Sequence, residues 1–218
     1  MKTEQQKISE IILLLKVLQE DDNIGGATKL QKQIFLNELQ LTDRKSGGLY
    51  YKYFRYNYGP FSRQLQDNFN ALVNLGFVHK TTYRPTERGK YLIGYVEGCI
   101  ANYQDNALIF DIIGTTTAKY RKYNGSQLMR LVYDMAISPI ERPDHKMKIK
   151  DIQIFTDLLL PECETFKHEL SFPDQIFSDI KAELSMDKET WDNLEDTHAG
   201  AIKKATEELK NAIAADPL

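Results

Sequence analysis

The order of apolar and polar positions at the start of the chain predicts two amphipathic helices. Apolar residues recur at helical spacing from Ile8 to Leu18, and the pattern breaks at Gly25-Gly26. A second helix is expected from Thr28 to about Leu41, because Thr28 and Gln31 have the spacing of a capping box.

Aromatic residues alternate with polar ones from Leu49 to Tyr58, and this period of two indicates a strand or an extended arm. Pro60 then suits the first position of a third helix, where its missing N–H costs nothing. The apolar stripe of this helix, closed by Gly76, consists of Phe61, Leu65, Phe69, Leu72 and Val73. The pattern then predicts a short strand and wing over residues 77–85, followed by another helix after Thr86.

Later apolar patterns predict helices over residues 104–123 and from Ser126 to just before Pro139. Prolines and basic residues between Ser138 and Lys150 indicate a domain boundary. Beyond it, helices are expected at about 149–160, 173–184 and 187–214. We therefore predict a winged-helix domain at residues 1–140, a basic linker at 141–150 and an acidic helical C-terminal region at 151–218.

Charge divides unevenly along the chain. Residues 1–150 contain 22 Lys and Arg against 15 Asp and Glu, a net charge of +7. Residues 151–218 contain 6 against 16, a net charge of −10. This asymmetry suggests a basic unit that binds an anionic partner and an acidic unit that binds a different partner. A basic core with a solvated acidic tail accounts for it equally well.

Composition favours an ordinary globular protein over a disordered or membrane-spanning one, with 42% hydrophobic and 27% charged residues. The polar N-terminus lacks the pattern of a signal peptide, and we expect a cytoplasmic location. Cys99 and Cys163 lie far apart without CxxC spacing, so neither a disulfide framework nor a zinc site is predicted.

The order helix, helix, arm, helix, strand, wing, helix is that of a winged helix-turn-helix, so the predicted fold is mainly α (α+β), with helical additions. In such a domain the third helix enters the major groove. Candidates for contacts to base edges are Arg63, Gln66 and Asn70. Candidates for holding phosphates are Lys29, Lys32, Lys80, Arg84 and Arg88. An ordinary polar surface or a protein-docking surface explains the same residues, since the charge density is modest.

The aromatic stretch at residues 50–58 is interleaved with Lys52 and Arg55, a composition that stacks on single-stranded nucleic acid. The same pattern is more typical of an edge strand with one face in the core. We favour the core interpretation, in which residues 58–61 fix the start of the third helix.

No sequence pattern predicts catalysis, a metal or a cofactor. The four histidines are scattered without metal-ligand spacing, and the paired glycines do not form a phosphate-binding loop. We therefore expect a non-enzymatic protein, with a hydrolase of nucleic acid or nucleotides as a remote alternative.

The acidic C-terminal region carries an apolar helical stripe, which gives it surface to bury. Its residues are Ile176, Phe177, Ile180 and Leu184, with Trp191 as a possible anchor. We expect this stripe to bind a protein partner, and packing against the chain's own front domain is the alternative.

Five segments together resemble a known family. They are Thr28-Lys29-Leu30-Gln31-Lys32 with Phe35-Leu36, Tyr58-Gly59-Pro60-Phe61-Ser62, Leu72-x-x-Leu75-Gly76-Phe77, Thr86-x-x-Gly89, and Gly125-Ser126-x-Leu128 to Val132-Tyr133. The pattern resembles the Panacea (SocA-like) antitoxin domain and the similar YwgA-type proteins, over roughly residues 8–140. The resemblance implies neutralisation of a separately encoded toxin. An antitoxin-like component that neutralises or partners a toxin or effector protein is therefore the expected function. A winged-helix transcriptional regulator that binds DNA is the alternative.

Overall fold

The computed structural model describes residues 2–100, 103–160 and 166–187. Its helices are α1 (Glu4–Glu20), α2 (Ala27–Asp43), α3 (Arg63–Asn74), α4 (Glu87–Ile100), α5 (Gln104–Tyr120), α6 (Gly125–Tyr133) and α7 (Asp174–Ser185). Its strands are β1 (Ser46–Gly47), β2 (Tyr53–Tyr56), β3 (Gly59–Phe61), β4 (Ala136–Pro139), β5 (Met147–Lys148), β6 (Asp157–Leu159) and β7 (His168–Glu169). The fold is thus mixed α/β with helices dominating.

Five short strands form one antiparallel sheet in the order β3-β2-β6-β4-β5. Strand β6 lies in the middle, where Leu158 pairs with Tyr53 on one side and with Pro139 on the other. Strands β1 and β7 form a separate parallel pair. Segments more than a hundred residues apart therefore meet in both sheets.

The first helix is buried almost all round, in contrast to the one-sided pattern of a surface helix. Leu13, Leu14 and Leu15 are consecutive and all fully buried, because α1 packs against α2, α4, α5 and α7. Among the described residues no helix is both long and apolar enough to cross a membrane.

Helix α2 is the second buried helix, with eleven of its seventeen residues buried. Six of these are polar: Lys29, Gln31, Lys32, Gln33, Asn37 and Glu38. The predicted capping box is wrong, because the N-cap is Gly26 and the Gln31 amide reaches α3 instead. Gln31 donates to the Ser62 carbonyl (3.0 Å) and accepts from the Ser62 N–H (2.9 Å).

Helix α3 has most of the buried stripe that the spacing predicts, with Leu65, Phe69 and Leu72 buried. Val73 is half-buried, and Phe61 lies in β3 and is half-buried there. Its start differs from the prediction. Pro60 lies in β3 rather than in the helix, and Ser62 is the N-cap whose hydroxyl accepts from the Leu65 N–H (3.3 Å). A serine N-cap satisfies one of the free amides of the first turn, so the helix begins after Ser62.

A small hairpin follows α3. Gly76 adopts φ +79° and reverses the chain, and Val78 bridges Pro85 in antiparallel register. The Thr86 N–H donates to the Phe77 carbonyl (2.9 Å) across the hairpin. Tyr83, near its tip, stacks on Phe69 of α3 with ring centroids 4.5 Å apart, so the hairpin is packed against the helix.

The helix predicted at 149–160 is wrong, because this segment contains a single 3₁₀ turn (Ile149–Asp151) and then β6. Helix α7 confirms the helix predicted at 173–184. Leu158, Leu170, Phe172 and Ile180 belong to the same hydrophobic core as α1 and α2. The described residues after position 150 therefore pack into the same unit as the preceding ones. The helix predicted at 187–214 lies outside the described residues, apart from position 187.

Candidate interaction surface

Four aromatic rings lie together on the outer side of the β2–β3 hairpin, and we call them the aromatic surface: Phe54, Tyr56, Phe61 and Phe155. Strand alternation explains the arrangement, since Tyr53 and Arg55 are buried while Phe54 and Tyr56, which alternate with them, are half-buried. Phe54 contacts Phe61 and Phe155 at centroid distances of 5.6 and 6.1 Å. These distances are typical of interacting aromatic rings.

Phe155 is the most exposed member, with 67% of its surface accessible. Its backbone adopts φ +69°, a region that costs a bulky side chain about 1–3 kcal/mol. Two backbone hydrogen bonds with Arg55 hold this geometry. The Phe155 N–H donates to the Arg55 carbonyl (2.6 Å), and the Arg55 N–H donates to the Thr156 carbonyl (2.8 Å). The chain thus holds an aromatic ring towards solvent in an unfavourable conformation.

A groove of about 410 Å³ runs beside the aromatic surface, lined by Lys52, Tyr53, Phe54, Arg63, Gln64, Phe155 and Asp157. The Arg63 guanidinium lies over the Phe54 ring, 5.6 Å from its centroid. Two cations, Lys52 and Arg63, therefore flank the rings, and the carboxylate of Asp157 lies in the same groove. The groove combines aromatic area with charges of both signs.

The Tyr58-Gly59-Pro60-Phe61 segment fixes the hairpin that carries three of these rings. Gly59 adopts φ +98°, and a side chain there would meet Lys32 Cε and the Tyr133 ring, each at 3.3 Å. The Pro60 carbonyl accepts a hydrogen bond from Lys32 Nζ (2.8 Å). Glycine is needed both for the backbone conformation and for this close approach.

Three residues predicted to hold phosphates on an open surface are buried and hold internal partners: Lys29, Lys32 and Arg88. Lys29 Nζ pairs with Asp21 (2.9 Å) and donates to two backbone carbonyls. Arg88 pairs with Glu183 of α7 (2.9 Å) and donates to the carbonyls of Leu75, Glu183 and Met186. Neither is a free surface cation. Burying a charge without a partner costs much free energy, and these ion pairs and hydrogen bonds offset that cost.

The other predicted nucleic-acid contacts lie on α3 and the following hairpin. Arg63, Asn70, Lys80 and Arg84 are exposed, and Gln66 is half-buried. Gln66 donates to the side-chain oxygen of Asn70 (3.2 Å), so one hydrogen bond links these two amides. Arg84 donates to the Asp22 carbonyl (2.9 Å). Arg63 alone of this set lines the groove at the aromatic surface.

The apolar stripe predicted to bind a partner instead packs against the chain's own core. Ile180 is fully buried, and Ile176, Phe177 and Leu184 are partly buried against the core. Helix α7 contacts α1 and α4, so its apolar face is already covered. Trp191 lies outside the described residues.

Two buried carboxyl groups were missed by sequence reasoning. Glu38 accepts hydrogen bonds from the Tyr51 N–H (2.9 Å) and the Tyr53 hydroxyl (3.0 Å). Burial raises the pKa of Glu38 to about 8, and the nearby carboxylate of Glu10 adds to this. Burial also raises the pKa of Glu10, against the opposing effect of Lys2. In the sequence, the one signal of their burial is their position among the apolar residues of the first two predicted helices.

No group of three or more potential metal ligands occurs among the described residues. His79 and His145 are exposed, and His168 Nδ1 lies 2.8 Å from Asp105. Cys99 is a free thiol, whereas Cys163 and His198 lie outside the described residues.

The chain is similar to a bacterial protein of unassigned role. It is 23% identical over 173 residues to the uncharacterized protein YwgA of Bacillus subtilis (strain 168). The similarity covers 75% of this chain and 97% of YwgA, and it supports the YwgA-type part of the resemblance. No family model and no solved structure matches the chain.

Proposed function

We propose that this chain is a non-enzymatic binding protein that docks a protein partner on its aromatic surface. The observation that carries the proposal is Phe155, an exposed ring held at φ +69° beside the Arg63 guanidinium. Strained residues persist where the surrounding structure enforces them, and they cluster at functional sites. Aromatic side chains and arginine also supply most of the binding free energy at protein interfaces.

Charge favours a protein over a nucleic acid as the occupant of this groove. A nucleic-acid surface would present a concentration of cations. Here Asp157 lines the groove beside Lys52 and Arg63, and Asp67 is exposed on α3. Mixed charges around an aromatic centre are typical of the polar rim of a protein interface.

The class of partner that we propose is a toxin, with the chain acting in the cytoplasm as its antitoxin. The resemblance to the Panacea antitoxin domain supports this choice. It rests on residues that the fold brings together, since Lys32, Gly59 and Tyr133 come from three of the resembling segments and are in contact. These residues support the hairpin that carries the aromatic surface.

Neutralisation can be tested by co-expressing the chain with the product of the neighbouring gene and following growth. We expect the wild-type chain to restore growth. Phe155→Asn should fail to do so, because asparagine tolerates positive φ while the ring is lost. Tyr91→Gln, at an exposed aromatic of α4 outside the aromatic surface, is the matched control and should rescue. Rescue by Phe155→Asn at equal protein level would contradict the proposal.

A second candidate is a winged helix-turn-helix that binds DNA. Helix α3 is followed by the hairpin at residues 77–86, which has the position of a wing, and Lys80 and Arg84 are exposed on it. DNA binding should weaken steeply with salt. Arg63→Ala should relax sequence preference, while Lys80→Ala should weaken binding to all sequences alike. Absence of binding at low salt, measured by fluorescence anisotropy, would eliminate this candidate.

A further inference from the structure

A cavity of about 290 Å³ lies between α2 and the strands β4 and β6. Phe35 and Leu39 of α2 line it, and they share one face of the helix because they are four residues apart. Ile137 of β4 and Leu159 of β6 also line it. None of its described lining residues belongs to the aromatic surface or to the groove beside that surface. The cavity is therefore a separate candidate site.

The size and lining of this cavity are those of a small-molecule site. Among the described residues the lining is apolar apart from Ser138 and Lys146. Ligand sites are commonly preformed clefts of about 300–1,000 Å³ in which apolar walls surround a few polar groups. An apolar cavity of about 150 Å³ holds one benzene ring. A cavity of about 290 Å³ therefore suits a hydrocarbon chain of roughly ten carbon atoms.

Ser138 provides an unpaired donor at the cavity. It is 5% exposed, and within the described part of the chain its hydroxyl has no hydrogen-bond partner. Buried hydroxyl groups normally have a partner, because leaving one unpaired costs free energy. Pairing of Ser138 with Leu159 across the two strands holds its backbone in the cavity wall. The hydroxyl is thus available to a bound molecule.

Lys146 is the one charged residue among the described residues that line the cavity, and it is exposed. The next two lysines along the chain, Lys148 and Lys150, both pair with Asp134, at 3.7 and 2.9 Å. Lys146 has no ion pair within the described ranges. The cavity therefore combines apolar walls with a single unpaired cation at its opening.

We propose that this cavity binds a small amphipathic carboxylate, of the chemical class of a medium-chain fatty acid. The hydrocarbon chain packs against Phe35, Ile137 and Leu159, and the carboxylate accepts hydrogen bonds from the Lys146 ammonium and the Ser138 hydroxyl. A single cation and a single hydroxyl match a head group with one negative charge. Carboxylates carry that charge at neutral pH, whereas a cationic head group would be repelled by Lys146.

The experiment titrates sodium octanoate into the full chain, below the micelle concentration and at constant ionic strength, and follows the melting temperature. Octanoate should stabilise the protein in a saturable way, because it binds the native state. Octanol, which has the same chain without the charge, should bind about tenfold more weakly, and octylammonium more weakly still. An absence of saturable stabilisation by octanoate would overturn the site. Binding of octylammonium as tight as that of octanoate would overturn the assignment to a carboxylate.

Lys146→Met separates recognition of the head group from recognition of the chain. This lysine is exposed, so the free protein should keep its melting temperature. Octanoate binding should weaken about tenfold, the effect of one charge-assisted hydrogen bond, while octanol binding stays the same. Lys148→Met, at an exposed lysine outside the described lining, is the matched control and should bind octanoate as the wild type does. Equal losses for octanoate and octanol, or no loss for either, would contradict the role of Lys146.

Ser138→Ala tests the second donor. The variant should fold as the wild type does, because the hydroxyl makes no hydrogen bond within the described residues, and octanoate binding should weaken roughly fivefold. Unchanged affinity would overturn the role of this hydroxyl.

Methyl resonances locate the bound molecule independently of any variant. The signals of Ile137 and Ile149, which line the cavity, should shift in proportion to the octanoate bound. Those of Leu65, buried on α3, should stay in place. Shifts at Leu65 without shifts at the two isoleucines would show that octanoate binds elsewhere and would overturn the proposal.

Discussion

At the scale of single residues, Glu38 makes stability depend on pH. Its folded pKa of about 8 lies above the ordinary value of 4.5, so the native state keeps its proton over a range where the unfolded state loses it. The free energy of unfolding should therefore fall as pH rises from about 5 to about 8. Urea unfolding of Glu38→Gln should show a shallower slope, with the remainder due to Glu10, whose pKa is also raised.

Four groups face the Glu38 carboxyl: Tyr51, Tyr53 and, at longer range, Glu10 and Lys2. Burial raises the pKa of both tyrosines, which keeps them neutral across this range. An identical slope in wild type and Glu38→Gln would show that Glu38 is ionised in the native state.

Lys32 has the opposite effect on stability. Its folded pKa of about 7 lies below the ordinary value of 10.5, so between these values the unfolded state binds more protons. Stability should therefore rise with pH from about 7 to about 10. Lys32→Met should lose this rise, measured by urea unfolding at a series of pH values. A rise that persists in the variant would assign it to another group.

Residue types in the sequence indicate which groups are polar but not which are covered. Lys29, Lys32 and Arg88 are expected on the surface, since lysine and arginine are rarely fully buried without a partner. Their partners, Asp21, Pro60 and Glu183, lie on other elements. These cations are buried because other elements of the fold pack around α2 and α4. No local sequence pattern encodes that packing.

At the scale of elements, the apolar stripe of α3 fixes this helix to the rest of the molecule. Leu65 is fully buried, and Leu65→Ala should lower the free energy of unfolding by about 2–5 kcal/mol, since it removes packed methyl groups and leaves a cavity. Asn70→Ala, on the exposed side of the same helix, should change it by less than about 0.5 kcal/mol. Equal melting temperatures for the two variants would contradict the assigned packing.

Helix α7 is fixed to α4 by an ion pair rather than by apolar contact alone. Arg88 is 1% exposed and Glu183 is 13% exposed. Glu183→Ala should destabilise the fold by about 3 kcal/mol, because it removes a carboxylate that pairs with a buried guanidinium. The matched control is Glu87→Ala, whose exposed pair with Lys90 should contribute less than about 1 kcal/mol. Denaturant unfolding of both variants measures the difference, and equal losses would refute it.

Helices were predictable where apolar periodicity persists over several turns, as for α1, α3 and α7. The segment 149–160 was not, because a short apolar run is compatible with a buried strand as well as with a helix. Strand β6 exists through its pairing with β2 and β4, which come from residues 53–56 and 136–139. Such pairing is tertiary information. Likewise, the aromatic alternation predicted a strand with one face in the core, and Phe155, which joins its outer face, comes from a distant loop.

At the scale of the whole molecule, residues before and after position 150 share one core. Truncation after Lys150 removes β6 from the centre of the sheet and Ile180 from the core. We expect the truncated chain to lose its cooperative thermal transition. Nothing in it replaces β6 beside β2, or α7 against α1 and α4. A truncated chain that still unfolds cooperatively would show that residues 151–218 are a separate unit.

The aromatic surface combines a β hairpin and a distant loop, with Arg63 at the start of α3 beside it. Its proposed role is tested most directly by binding to a purified partner. The partner is first identified as the protein enriched with the tagged chain, and its dissociation constant is then measured by calorimetry for wild type, Phe155→Asn and Tyr91→Gln. We expect Phe155→Asn to weaken binding at least tenfold, about 1.4 kcal/mol, and Tyr91→Gln to leave it unchanged. Equal dissociation constants for all three proteins would contradict the central claim.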